Sequence, residues 1–482
     1  MSEKSLYITT TLPYVNAEPH LGHAMEFIRA DVIARYKKLQ GFDVFFNTGT
    51  DEHGMKLYEG AKIEGKSTQD YVDFYAEKVK DLLKLLSISV DVHFIRTTDE
   101  KHVSAATAFW KKVNENGYIY KKNYKAKYCV GCEEEKKDSE LINGRCSIHS
   151  NLELEIIEEE NYFFKYSAFQ EKLLNFYEKN PTFVIPDFRL NEMKGFVKNG
   201  LQDFSISRLK TKMPWGIEVP GDPDHIMYVW FDALVSYIAT LGYPNIEGDF
   251  KKYWVDGETI QYCGKDNNRF QSAMWQAMLM ACDLPNTTHV IVDGFITGEG
   301  GVKMSKSLGN VTNPKNLIQE FGTDALRYFL LREVSSFEDS PFTIERFKDA
   351  YNSGLANGIG NLTSRIMKMA ETNLEEPIKN TANFIDVYPD FTSSINNFDI
   401  QRACNVIWHW IGQLDQKIQE TMPFKLIKTD PVKAKEIITE LVYELSKISE
   451  CLSVILPETS EKIKKLIKEN KSPSVPLFLR KE

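Results

Sequence analysis

Apolar and polar positions follow two alternating periods over the first hundred residues. Leu6–Thr11 is apolar and β-branched enough to predict a buried strand, and from Leu21 to Leu39 apolar residues recur at helical spacing. Asp43–Thr48 predicts a second strand and Thr68–Leu86 a second helix. Strand, helix, strand, helix is the pattern of the first half of a doubly wound, Rossmann-type parallel sheet, which binds ligands beyond the carboxyl ends of its strands. The alternation breaks from about residue 116 to 225, through an acidic stretch at Glu153–Glu160, and this region reads as an insertion. It resumes with strands at Met227–Trp230, Thr259–Cys263 and His289–Val292, the last running into the glycine-rich stretch Gly294–Gly301. Beyond residue 349 no strand pattern remains. Helical periodicity at Ala350–Glu371, Asp399–Glu420, Pro431–Ile455 and Glu458–Glu469 predicts an all-α helix bundle. The expected segments are 1–115 and 226–308 for the two sheet halves, 116–225 for the insertion, 309–348 for a linking stem and 349–482 for the bundle.

Two short motifs sit at opposite ends of the α/β region. His20-Leu21-Gly22-His23 follows the first strand and a turn containing Pro13, Asn16 and Pro19, and it opens the first helix. A glycine in the first helical turn, orphan amide N–H groups, the positive end of the helix dipole and two imidazoles together suit an anion. Lys303-Met304-Ser305-Lys306-Ser307 follows the glycine-rich stretch and carries two ammonium groups on an expected loop. Such a pair suits a reaction whose transition state spreads negative charge over phosphate oxygens. The turn Asp51-Glu52-His53-Gly54 occupies another strand end.

Seven cysteines fit a reducing compartment better than a disulfide framework. Four residues form one cluster, Cys129-x-x-Cys132 and Cys146-x-x-His149, the spacing of a closed structural zinc site, with Gly131 and Gly144 expected to supply the knuckle turns. A full tetrahedral shell would fold a small subdomain and leave no open position for catalysis. A hydrophobic content of 42% supports a real core, and no apolar run approaches the roughly 20 residues that span a bilayer. With no signal or transit pattern at the start, a cytoplasmic, membrane-free chain is expected. The net charge of −9 argues against indiscriminate nucleic-acid binding while leaving room for a local site.

These residues carry a resemblance over nearly the whole length. Thr11-Leu12-Pro13-Tyr14 leading to the HxGH run, Thr50-Asp51-Glu52-His53-Gly54, the four metal-ligand candidates, Tyr228-Val229-Trp230-Phe231-Asp232-Ala233 and the Lys303–Ser307 loop make the chain similar to the methionyl-tRNA synthetase family of class I aminoacyl-tRNA synthetases. Asn361, Leu362 and Arg365 resemble the start of that family's anticodon helix, and Pro476-Leu477-Phe478 resembles the ending of its compact members. The resemblance implies activation of L-methionine by ATP to methionyl-adenylate, then transfer to the 3′ end of tRNA(Met), by a monomer using Mg²⁺ with ATP and a structural Zn²⁺.

It further implies roles for individual residues. His20 and His23 act on the α and β phosphates, and Lys303 and Lys306 on the pyrophosphate. Pro13, Gly22, Gly264, Asp266, Ile296 and Ser305 bind ATP, with Asp266 accepting the ribose hydroxyls. Asp51 takes the methionine amino group, and Leu12, Tyr14, Trp230, Ala233, Leu234, Tyr237, Gln271 and Trp275 line the pocket. Asn361, Arg365 and Phe424 read the anticodon. Two positions depart from the family's usual residues: Gln271 stands where it has a histidine, and Phe424 where it has a tryptophan. Asn267-Asn268 also replaces an apolar pair.

Three other readings compete. Synthetases for valine, isoleucine or leucine carry a much larger insertion than 116–225, and a cysteine enzyme would place a thiol where Thr10 and Thr11 stand. A non-catalytic tRNA-binding paralogue would be marked by loss of a histidine or lysine from the two motifs. An HxGH nucleotidyltransferase leaves the helix bundle unexplained.

Overall fold

The computed structural model describes residues 4–89, 91–132, 134–136, 138–301, 312–379, 381–383 and 387–482. The Lys303–Ser307 motif lies outside them. The described residues divide into two compact units, one within 1–19, 43–81 and 91–292, the other within 20–42, 82–90 and 293–482.

The first unit is built on a six-stranded sheet. Its spatial order is His93–Arg96, Asp43–Thr50, Ser5–Thr10, Glu258–Gly264, His289–Asp293 and Val184–Ile185. The pairings of Ser5–Thr10 with both neighbours are parallel, as are those of the two outer pairs. The chain winds outward in one direction from Ser5–Thr10 and later in the other from Glu258–Gly264. The topological switch point, where such sheets bind ligands, therefore lies between those two strands. Strands buried on both faces read as continuous apolar runs, and Leu6, Tyr7 and Ile8 are fully buried. The sheet is larger than the sequence pattern suggests: Val184–Ile185, inside the region read as an insertion, is its edge strand.

Much of the rest of the insertion is built on a second, antiparallel sheet. Ile119–Cys129 pairs with Glu155–Phe164, so most of the acidic stretch is a strand, and a Lys–Glu pair across it at Lys125–Glu158 meets at 2.8 Å. The tripeptide Glu134–Lys136 and Phe204–Ser205 extend this sheet. One expectation is corrected: Met227–Trp230 is not a strand. The strand ends at Met227 and a short helix spans Val229–Ala233, because Tyr228, Phe231 and Asp232 are buried at helical spacing.

The second unit is helical. Leu21–Leu39 belongs to it and is buried on most of its circumference, including Arg29 and Asp31. Arg29 donates to Asp293 at 2.8 Å and to the Ser335 carbonyl at 2.7 Å; Asp31 pairs with Arg327 at 2.9 Å and accepts from the Ser89 amide at 2.9 Å. Buried charges so paired avoid the full desolvation penalty. Asn361–Asn373, Ile400–Thr421, Pro431–Ile455 and Pro457–Glu469 form the bundle, with Asp399 and Asp430 capping the second and third. Among the described residues no helix is long and apolar enough to cross a membrane.

Candidate functional site

At the start of Leu21–Leu39 the two histidines form a capping box. His20 is the N-cap: its Nδ1 accepts from the Gly22 amide at 3.1 Å, and His23 Nδ1 accepts from the His20 amide at 3.3 Å. The rings stack at 3.9 Å and 17°. A ring nitrogen that accepts carries no proton, so each neutral imidazole holds its proton on Nε2 and presents that N–H as a donor. A Cβ at Gly22 would stand 3.0 Å from His20 Cε1, so a side chain there would press on the capping ring. The expected cradle of open amides is revised accordingly. The Gly22 N–H is engaged by its own cap.

The first unit holds most of the expected pocket. Tyr14 and Asp51 form a parallel bridge: the Asp51 amide donates to the Pro13 carbonyl at 3.0 Å and the Val15 amide to the Asp51 carbonyl at 3.2 Å. Two strand ends are thereby locked side by side. Tyr14 and Trp230 both pack against the buried cluster of Tyr128, Tyr228 and Val229. Trp230 is half-buried and lies flat on Phe270, at 3.9 Å and 3° between planes. Leu12, Ala233, Leu234 and Tyr237 are buried around them. Trp275 is different. It is fully buried among Phe109, Trp254 and Tyr237, whereas the ring of Trp230 is half-buried.

Gln271 is held in an amide chain. Its Nε2 donates to the Tyr237 hydroxyl, its Oε1 accepts from Gln261 at 3.2 Å, and Gln261 Oε1 accepts from Thr287 at 2.6 Å. The buried Asn268 is likewise satisfied, donating to the Arg189 carbonyl at 3.3 Å and accepting from Ser272 at 2.7 Å, which is how a polar residue is tolerated there. Gly264 ends its strand and Asp266 is exposed in the following turn. In the second unit Ile296 is buried in a short strand paired with Ser340–Pro341. Asn361 is exposed, Arg365 pairs with Asp415, and Phe424 is 47% exposed at the start of Pro423–Leu426. The helix before Phe424 ends at Met422, whose left-handed backbone (φ 41°) turns the chain, rather than at Pro423, which opens the next helix.

Cys129, Cys132, Cys146 and His149 converge, with all ligand atoms within 4.8 Å of one another. Cys132 and Cys146 sulfurs are 3.6 Å apart and Cys132 Sγ is 3.2 Å from His149 Nδ1. Those spacings suit tetrahedral ligands about 2.0 to 2.3 Å from one ion, and a three-sulfur, one-nitrogen set could hold a divalent metal. Gly144 supplies a left-handed turn (φ 75°), as expected. Gly131 serves another purpose: a Cβ there would lie 2.6 Å from His149 Cγ.

Sequence reasoning passed over several residues here. Phe270, the platform under Trp230, has no signature in the sequence. Arg208 is 6% exposed, its guanidinium 4.3 Å over the Tyr128 ring and 5.8 Å over Tyr228, and it pairs with Glu159 at 3.4 Å. Asp232, His53 and His102 form a buried cluster with no spacing signature, since each comes from a different element.

The family model of the class I tRNA synthetases (M) matches residues 6–146 and 131–367, and the chain belongs to this family. It is 40% identical over 475 residues to a methionine–tRNA ligase of Caldanaerobacter subterraneus subsp. tengcongensis, covering 96% of this chain and 73% of that one. A methionine–tRNA ligase of Thermotoga maritima is 38% identical, with 97% and 76% covered. Among solved structures, Mycobacterium tuberculosis methionyl-tRNA synthetase in complex with methionyl-adenylate superimposes with a TM-score of 0.89 at 34% identity, covering 96% of this chain and 94% of that one.

Proposed function

We propose that the chain activates L-methionine with ATP and transfers the methionyl group to the 3′ end of tRNA(Met). The observation that carries this reading is the Tyr14–Asp51 bridge, which holds a buried aspartate beside a tyrosine that packs, as the half-buried Trp230 does, on the cluster of Tyr128, Tyr228 and Val229. A carboxylate suits an α-ammonium, and an aromatic slot suits a polarisable thioether. The methionine carboxylate attacks the α-phosphorus of ATP, the bond to the bridging oxygen breaks, and pyrophosphate leaves. The ribose 2′- or 3′-hydroxyl of the terminal adenosine of the tRNA then displaces AMP from the methionyl carbonyl. No covalent protein nucleophile is required; positioning and charge do the chemistry. His20 and His23 offer Nε2–H donors to phosphate oxygens, and Lys303, Ser305 and Lys306 meet the pyrophosphate. Asp266 accepts the ribose hydroxyls, with Pro13, Gly22, Gly264 and Ile296 shaping the nucleotide site. Leu12, Tyr14, Trp230, Ala233, Leu234, Tyr237, Gln271 and Trp275 form and back the methionine pocket. Asn361, Arg365 and Phe424 receive the anticodon.

Mg²⁺ accompanies ATP as part of the substrate. The metal at Cys129, Cys132, Cys146 and His149 is Zn²⁺, whose role in a closed shell is to order the surrounding hairpins. None of the seven cysteines is in a disulfide, which supports a reducing, cytoplasmic setting. Charging of a tRNA(Met) transcript with labelled methionine tests the whole reaction. Methionyl-tRNA should accumulate with ATP and fail to accumulate when the anticodon is replaced; equal charging of both transcripts would contradict the anticodon assignment.

A further inference from the structure

Asp232 is wholly buried on the short helix Val229–Ala233, two residues beyond Trp230. Its two oxygens are taken separately: Oδ2 by Nδ1 of His53 and Oδ1 by Nε2 of His102, each at 2.6 Å. Both rings are buried as well. Burial works to raise the Asp232 pKa, and the two imidazoles outweigh it, holding the carboxyl down at about 2. It is therefore an anion accepting one N–H from each ring. An apolar residue could fill such a position without the desolvation cost of a charge, so packing alone does not account for the cluster.

What the three residues are attached to does account for it. His53 closes the turn that begins at Asp51. The helix of Asp232 carries Trp230 and Ala233. His102 stands on Glu100–Glu115, whose Phe109 and Trp110 rings pack edge-on against Phe231. The turn is pinned elsewhere through Glu52. Its amide donates to Thr97 Oγ1 at 2.9 Å, its carboxylate accepts from Arg96 at 2.7 and 2.9 Å, and its carbonyl accepts from Trp215 Nε1 at 2.6 Å. The His53–Asp232 bond ties this pinned turn directly to the helix of Trp230.

We propose that His53, Asp232 and His102 form a positioning relay for amino-acid selection, fixing the carboxylate of Asp51 against the aromatic wall of Trp230. The α-amino group and the side chain of one substrate are thereby read at a set separation. None of the three touches substrate; they act through Asp51 and Trp230, and the proposal rests on reading those two as methionine-binding residues.

The two bonds come from different ring nitrogens, which gives a crossed test. An asparagine amide nitrogen falls near the Nδ1 position of a histidine, and a glutamine amide nitrogen near Nε2. In methionine-dependent ATP–pyrophosphate exchange, His53→Asn and His102→Gln keep the donor and should hold the KM for methionine within about twofold of the parent. His53→Gln and His102→Asn misplace it and should raise that KM by about tenfold, the scale of one charge-assisted hydrogen bond, with the KM for ATP unchanged. All four amides are similar in size and polarity, so a general loss of stability would not follow the crossed pattern. Equal effects from both members of each pair, or KM values for methionine and ATP rising together, would overturn the relay. Asp51→Asn, run alongside, tests the underlying reading. If it leaves the KM for methionine unchanged, the pocket assignment fails and the relay with it. If it raises that KM while the crossed pattern is missing, the relay alone fails.

Discussion

Two tryptophans of the expected pocket differ in burial. Trp275 and Trp230 both come from the expected pocket wall, yet one is fully buried and the other half-buried on Phe270. Removing a fully buried indole costs about 3 to 5 kcal/mol. Trp275→Ala should therefore lower the midpoint of urea unfolding strongly, whereas Trp230→Ala should shift it less and weaken methionine binding more. Comparable unfolding midpoints for the two variants would contradict this division. Asp232 offers a pH test. Its folded pKa of about 2 lies below the value near 4 of an unfolded aspartate. The stability it contributes is complete above about pH 4 and is lost as pH falls from there toward 2. The parent should lose unfolding free energy over that window faster than Asp232→Asn, measured by urea titration at several acidic pH values; matching slopes would show that this carboxylate is not held ionised.

At the scale of elements, the outline was legible where periodicity was long. The first strand, the helix Leu21–Leu39 and the helices Pro431–Ile455 and Pro457–Glu469 stand within a residue or two of their expected positions. Short elements were not. His93–Arg96 and Val184–Ile185 are too brief to show a period, and they became strands by pairing at sheet edges. Met227–Trp230 failed because a β-branched, aromatic run has strand propensity until burial on one helical face overrides it. The metal-ligand quartet was legible because its spacing is local. The cluster of His53, Asp232 and His102 was not, because only the tertiary fold joins it. Two predictions belong here. Protein purified without chelator should carry one zinc per chain, and Gly131→Ala, which presses on His149, should retain less; elemental analysis finding no zinc in the parent would refute the site. Phe424 sits exposed after the left-handed turn at Met422, available to stack on a base. Such stacking contributes about 1 to 3 kcal/mol, so Phe424→Ala should reduce tRNA charging by roughly ten- to a hundredfold while leaving methionine activation intact. Unimpaired charging would place the stacking elsewhere.

For the whole molecule, methionine recognition is proposed for the sheet unit and base recognition for the helical one, with chemistry supplied by charge placement. Lys306 is expected to meet the phosphates mainly in the transition state. Lys306→Ala should slow adenylate formation by at least about tenfold with little change in methionine affinity. Weakened methionine binding with normal turnover would reject that role. The central claim, that this chain activates methionine in particular, is tested most directly by ATP–pyrophosphate exchange with the purified parent protein. Exchange should depend on methionine and proceed far more slowly with leucine, isoleucine or cysteine at the same concentration. Exchange supported equally by one of those three, or absent with methionine, would contradict it.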